Sequence, residues 1–427
     1  MARIGFWGGV GIIGSTKVLI EQDGWRVLLD FGLDYLPGQG LYRSGVTPRG
    51  DVRHYLRDRL RVDGAPWLPN IYRADALGDL PLASGGDGRT AVFITHGHLD
   101  HMGLIGMLDP TVPVHASPGT VRLLTTLRAH GDDVAGGLPP LVPMEDGASL
   151  TWGPFTVTRY PVDHDVVGSS GYRVDTEDGV VAYTGDIRLH GRRSEESLRF
   201  ADAVHGARAL VIEGTTLSQG FRVGVRTEKQ VDESFRKVLR DTPGLALATM
   251  YPRNVERIAA FLDGAAAMGR RMAFTPAVAA FLSDFLGREV PAWGEEGTAV
   301  SIDAVRDAPD RYVLVLGAAD WPTMLDLPMG PGSVFIHANG EPLGPFDPTW
   351  DLLQEWLAHL HTPFWAIGTG GHATPDDLNR LVERVAPEVL FPVHSLEPDR
   401  LVAPPGTMRW LPQRGRVFEL SGRRTQL

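Results

Sequence analysis

Cysteine is absent from all 427 residues. That excludes disulfides, thiolate metal sites and cysteine nucleophiles. Lysine is nearly absent too: Lys17, Lys229 and Lys237 are the only three, so the basic side chains are arginines in a chain of net charge −11. A chain of that sign is not a uniformly basic nucleic-acid binder. A local basic groove stays open, because the field at a site follows the distribution of charge rather than its sum. There is no apolar run of roughly 18 residues, so no membrane partner is expected. Met1-Ala2-Arg3-Ile4-Gly5-Phe6-Trp7 reads as a first strand rather than a signal peptide, and the expected location is cytoplasmic. At 43% hydrophobic, a chain of this length can bury a large core and hold two domains.

What the chain does have is concentrated at Thr95-His96-Gly97-His98-Leu99-Asp100-His101. Four candidate metal ligands lie within six residues, directly after the apolar, β-prone run Ala91-Val92-Phe93-Ile94. A loop leaving a buried strand can aim them at one point. His96 and His98 can share one ion, while Asp100 and His101 point at a second. Imidazole and carboxylate without thiolate suit zinc, and also manganese.

Gly9-Val10-Gly11-Ile12-Ile13-Gly14 matches a dinucleotide-binding fingerprint, which requires a helix next. Thr16-Lys17-Val18-Leu19-Ile20, Asp23-Gly24 and Trp25-Arg26-Val27-Leu28-Leu29-Asp30 follow instead, and these predict a β-hairpin. Residues 33–90 are loop-rich and carry Arg43, Arg49, Arg53, Arg57, Arg59 and Arg61, either as a solvated insertion or as a basic flap. Strands and helices then alternate up to 215, as in a layered α/β domain. From 217 to 365 the pattern is helix, strand, helix, strand: a second α/β domain. The strand, helix and strand of 364–394 resemble the first domain again. The expected division is therefore 1–216, an inserted 217–365, and 366–427 completing the first domain.

Further ligand types end strands. His164 follows 155–160 and Asp186 follows 180–184, after Gly185; a carboxylate there could bridge two cations. His372 lies in Gly368-Thr369-Gly370-Gly371-His372-Ala373, and His394 closes Leu390-Phe391-Pro392-Val393-His394. Between them Thr374 is an N-cap, with Pro375 at N1 and Asp377 at N3. That helix start offers backbone donors to an anion close to His372.

In this order the segments resemble the metallo-β-lactamase fold and, within it, the β-CASP nucleases of the ribonuclease J family. The motifs are Asp30 in Leu29-Asp30-Phe31-Gly32, the His96–His101 cluster, His164, Asp186, Glu213 in Val211-Ile212-Glu213-Gly214-Thr215, His372 and His394. Residues 164–172 look more like the tRNA 3′-processing endonucleases. The resemblance implies an αββα sandwich with an inserted β-CASP α/β domain. It implies one zinc on His96, His98 and His164 and another on Asp100, His101 and His394, with Asp186 bridging. Asp100, Glu213 and His372 would serve catalysis, Glu213 by orienting His101 and His372 by acting at the scissile phosphate. The family's terminal-phosphate pocket would fall near 333–341.

The resulting expectation is a zinc-dependent nuclease for single-stranded RNA, or DNA, lying in a cleft between the domains. Arg253, Asn254 and Arg257, in Met250-Tyr251-Pro252-Arg253-Asn254-Val255-Glu256-Arg257, would hold phosphates, although the same residues also suit an ordinary helix start. His190 and Arg192-Arg193 would face substrate or form a solvated loop. A homodimer is allowed. The alternatives are a small-molecule metallohydrolase acting on an ester or cyclic-phosphate diester, and a non-catalytic nucleic-acid-binding scaffold.

Overall fold

The computed structural model describes residues 1–34, 49–218, 226–295, 297–344, 347 and 349–421. It separates into two compact units: Met1–Leu189, Arg193–Val223 and Gly371–Leu427 form the first, and His190–Arg192 with Gly224–Gly370 the second. The second unit is thus an insertion, and the chain after it returns to the first.

The first unit is built on two seven-stranded sheets. One runs in the order Val417–Glu419, Arg3–Gly8, Lys17–Gln22, Trp25–Leu29, Thr90–Phe93, Val114–Ala116, Leu141–Pro143. The predicted hairpin is present: Val18 pairs with Leu29 and Gln22 with Trp25, and Asp23 and Gly24 turn at φ 51° and 78°. No helix follows the glycines, which removes the dinucleotide reading. The other sheet runs Met408–Arg409, Val389–Val393, Ala209–Glu213, Gly179–Tyr183, Ser170–Thr176, Phe155–Pro161, Ser149–Trp152.

Inward side chains of both sheets share one core, with Ile4, Phe6, Val27 and Phe93 from the first and Phe155, Tyr172, Val211 and Phe391 from the second. Two helices, Ser194–Ala203 and Pro375–Val385, cover the outer face of the second sheet through Phe200, Leu378 and Val382. The latter helix begins as the sequence predicts, with Thr374 Oγ1 accepting from Asp377 N at 3.1 Å. Alternating burial thus produces sandwiched layers, and the loops at the strand ends are free to carry chemistry.

In the second unit five parallel strands are ordered Arg271–Ala273, Tyr312–Val315, Ala246–Met250, Val334–Ala338, Phe364–Ala366. Helices Glu228–Asp241 and Val255–Ala267 pack together through Phe235 and Phe261, stacked 3.9 Å apart.

Candidate metal centre

The ligand-type side chains of the first unit lie at strand ends. The His96–His101 segment follows Thr90–Phe93, His164 follows Phe155–Pro161, Asp186 follows Gly179–Tyr183, and His394 follows Val389–Val393. Residues more than 200 apart in sequence therefore meet. Backbone geometry helps: His394 turns off its strand at φ 54°, a conformation in which His is tolerated better than branched residues. Gly371 is required where it stands, since a Cβ there would lie 2.6 Å from the His164 ring.

Two sets of four atoms result, and they share one oxygen. His98 Nδ1 lies 3.1 Å from His96 Nε2 and 3.3 Å from His164 Nε2, while Asp186 Oδ2 is 3.7 Å from both His96 Nε2 and His164 Nε2. In the second set, Asp100 Oδ2 lies 3.0 Å from His394 Nε2 and 3.7 Å from His101 Nε2. The same Asp186 Oδ2 is 3.2 Å from His101 Nε2 and 3.8 Å from His394 Nε2. Four ligands at about 2.1 Å from a tetrahedral centre are separated by about 3.4 Å. The first set fits a divalent metal of that size, as do Asp100, His101 and His394 of the second, with Asp186 Oδ2 beside the two rings. Asp186 Oδ1 adds to the case: it is buried and has no hydrogen bond among the described residues.

The far nitrogens are held as well. Asp30 accepts from His101 Nδ1 at 2.8 Å, and the Gly371 carbonyl accepts from His164 Nδ1 at 2.5 Å. Both acceptors lack hydrogens, so each ring turns its Nε2 lone pair inward. Thr95 Oγ1 lies 2.9 Å from His96 Nδ1, and Thr215 Oγ1 lies 2.7 Å from His394 Nδ1.

Charge is arranged to match. Burial, then the neighbouring imidazoles, holds His96 well below the usual histidine range, and burial brings His98 down to about 4. These rings are neutral, as ligands must be. Against the cost of burial, His101 and His394 keep the Asp186 carboxyl ionised, well below its ordinary range. His101 behaves oppositely: despite burial, Asp186, Asp100 and Asp30 hold it well above its usual value. A divalent cation would take the place of that proton.

Three roles differ from expectation or were not assigned from sequence. Glu213 does not orient His101; Asp30 does. The Glu213 carboxylate instead lies 3.2 Å from His372 Nδ1 and accepts from Thr215 N at 3.0 Å. The sequence places Glu213 at its strand end but cannot tell which neighbour its side chain meets. His372 keeps its nitrogen 3.8 Å from Asp186 Oδ2 and, with Asp186 and His394, forms a third ligand-capable group. Against burial, Glu213 and Asp186 push it up to about 10. Asp165, adjacent to His164 in sequence, brings Oδ1 to 3.2 Å from His164 Nε2 and 3.7 Å from His98 Nε2. Its proximity to a ligand was the available signal. His372, Asp100, His98 and Asp165, 24%, 17%, 16% and 15% exposed, mark the face open to solvent.

The predicted substrate contacts fare differently. Arg257 is buried, bonded to Glu228 Oε1 at 2.6 Å and to the carbonyls of Ala338 and Thr369, so it does not hold phosphate. Asn254 is an N-cap, accepting from Arg257 N at 3.2 Å. His190 is buried with Nε2 on the Gly370 carbonyl at 2.9 Å, and Arg253 is 5% exposed. Arg257, Asn254 and His190 thus serve the fold of the second unit. Arg192 pairs with Asp232 at 2.8 Å. In the arginine-rich stretch, Arg49 pairs with Asp58 and Arg57 with Asp79 at 2.9 Å, while Arg59 is buried with Nη1 on the Tyr55 carbonyl at 2.9 Å; Arg43 lies outside the described residues.

Residues 75–238 match the family described as beta-lactamase superfamily domain. The chain is 27% identical over 328 residues to ribonuclease J of Sinorhizobium meliloti, covering 71% of this chain and 57% of that protein. To ribonuclease J of Corynebacterium glutamicum it is 25% identical, covering 73% and 40%. To that of Mycoplasma genitalium it is 20% identical, covering 92% and 67%. The chain thus spans about half the length of the first two. A solved structure from Enterococcus faecalis V583, titled a protein of unknown function, superposes with a TM-score of 0.83 at 26% identity, covering 98% of this chain and 99% of that one.

Proposed function

We propose that this chain, a metallo-β-lactamase-fold relative of ribonuclease J with an added α/β unit, is a dinuclear zinc nuclease that hydrolyses phosphodiesters of single-stranded RNA. Manganese is the alternative metal. The observation that carries the reading is the Asp186 Oδ2 atom, which belongs to the four-donor set of His96, His98 and His164 and also lies 3.2 and 3.8 Å from His101 and His394 of the second. A single carboxylate oxygen between two donor sets is what a two-ion site for phosphodiesters uses. His96, His98, His164 and Asp186 would hold one ion; Asp100, His101, His394 and Asp186 the other. When bound, two such ions supply positive charge to the scissile phosphate and acidify a water. The ribonuclease J relatives supply the substrate class, and the second unit is read as a β-CASP insertion.

The protein's own part is proton handling. Glu213 lies 3.2 Å from His372 Nδ1 and orients the ring on the solvent-open face, where it could give a proton to the leaving oxygen. His372→Ala is expected to retain both metals and lose turnover by about 10²–10⁴-fold. Loss of a metal equivalent in that variant would make His372 a ligand instead.

The deciding experiment incubates the protein with end-labelled RNA and DNA of defined 5′ ends, with and without a chelator. RNA cleavage that chelation abolishes, with DNA cut more slowly, is expected. Hydrolysis of a small chromogenic diester without RNA cleavage would favour a small-molecule hydrolase. An absence of bound metal by elemental analysis would favour the scaffold.

A further inference from the structure

With Arg257 and Asn254 absorbed by the fold, the basic and aromatic groups the second unit offers elsewhere become informative. A pocket of about 260 Å³ is lined by residues of the helix Glu228–Asp241 and the edge strand Phe364–Ala366. A second concavity of about 360 Å³ shares Arg226, Ser234 and Lys237 with it and continues along the helix. Trp365 is 52% exposed on the pocket wall. Arg226 Nη1 donates to the Ala366 carbonyl at 2.8 Å, which pins the guanidinium one residue from that indole. Lys237, one of three lysines in the chain, reaches Asp241 at 2.6 Å in an exposed pair. Such a pair is weak enough to yield to a phosphate.

The hydroxyls of the lining are all acceptors toward the pocket. Ser234 Oγ donates to the Gln230 carbonyl at 2.7 Å, Thr242 Oγ1 to Val238 at 2.8 Å, and Ser333 Oγ to Pro328 at 3.1 Å. Each hydroxyl has committed its hydrogen and has lone pairs left to offer. A ligand that fits has a flat face for the indole, amino hydrogens for these acceptors and a negative charge for the two cations. Asp241 and Glu233 also line the two concavities, so one negative charge suits the site better than a polyphosphate.

We propose that this pocket is a nucleotide subsite, taking an amino-bearing base of single-stranded RNA on Trp365 with its phosphodiester on Arg226 and Lys237. The proposal rests on the reading of the chain as an RNA nuclease. Stacking on an aromatic side chain with a cation beside it is how single strands are held along a path, and the second concavity leaves room for a neighbouring nucleotide.

The test uses the metal-loaded full chain and cleavage of labelled oligoadenylate and oligouridylate, together with crosslinking of RNA carrying 8-azidoadenosine. Trp365→Ala is expected to raise KM for oligoadenylate about ten-fold, more than for oligouridylate, with kcat little changed. Trp365→Phe should restore most of the loss, and the crosslink should map to the peptide containing Trp365. An unchanged KM in both Trp365→Ala and Arg226→Ala, or a crosslink elsewhere, overturns the subsite while leaving the nuclease intact. If the wild-type protein cleaves no RNA, the functional reading itself fails, and calorimetry with AMP then judges the pocket. AMP binding lost in Trp365→Ala would assign a free nucleotide and overturn the strand, and no AMP binding would overturn the subsite.

Discussion

Asp30 illustrates how much one buried carboxylate can fix. It accepts from Thr95 N at 2.7 Å, Tyr183 Oη at 2.6 Å and His101 Nδ1 at 2.8 Å, so a strand end, a tyrosine from the facing sheet and a candidate ligand share one anchor. Asp30→Asn keeps the shape but weakens the acceptor for His101. It should lower metal affinity of the Asp100, His101 and His394 set by about 10–100-fold, read by chelator competition, with the fold retained. Equal affinity in the variant would remove Asp30 from the site. Lys17 presents the converse: fully buried, with Nζ on the Ser15 carbonyl at 2.9 Å and its pKa brought down to about 7 by burial. Between pH 7 and 10.5 the unfolded chain binds this proton more tightly than the folded one, so this residue makes stability rise with pH across that window. The penalty is full below pH 7 and gone above 10.5. Lys17→Met should therefore gain most over wild type in urea midpoint at pH 6.5, and the difference should shrink toward pH 10. A difference constant with pH would show that Lys17 titrates normally.

Between elements, the loops that bear His164 and Asp186 are tied to each other behind the ligands. Arg188 Nε bonds Asp163 Oδ1 at 3.0 Å, both side chains being buried, and Arg188 N donates to the Asp163 carbonyl at 2.8 Å. Ser197 Oγ donates to the Arg188 carbonyl at 3.0 Å and accepts from Asp163 N at 2.9 Å. Arg188→Met alone leaves the buried Asp163 carboxylate without its cation, held among the described residues only by Arg193 N at 2.7 Å, and should cost about 3–5 kcal/mol. Adding Asp163→Leu should recover most of that stability, because a packed apolar pair replaces an ionic one at little cost. Metal affinity of the His96, His98 and His164 set should stay depressed in the double variant. Recovery of both together would make the bridge a matter of stability only. This tie was not legible in the sequence, since nothing local links residue 163 to 188. The candidate ligands were legible because each ends an apolar strand, a pattern the chain writes locally at Phe93, Tyr183 and Val393. Asn254 and Arg257 misled for the complementary reason. A cap followed by a cation looks the same on the surface as in the core, and Glu228, Ala338 and Thr369, all remote in sequence, decide which it is.

For the whole molecule, a net charge of −11 opposes any polyanion. On the proposed function, RNA would be bound by a few local cations, and log K should fall with log salt by about 0.7 for each phosphate neutralised. Measuring KM for RNA across a salt series checks this, and a flat dependence would mean that phosphate neutralisation contributes little to recognition. The order of ligands along the chain has a consequence for biosynthesis. The first donor set is complete once Asp186 has been made, but the second waits for His394, 294 residues after Asp100. The strand Val389–Val393 is also an interior member of its sheet, beside Ala209–Glu213. Until Val389–His394 has been made, the chain therefore has neither its second donor set nor a finished sandwich.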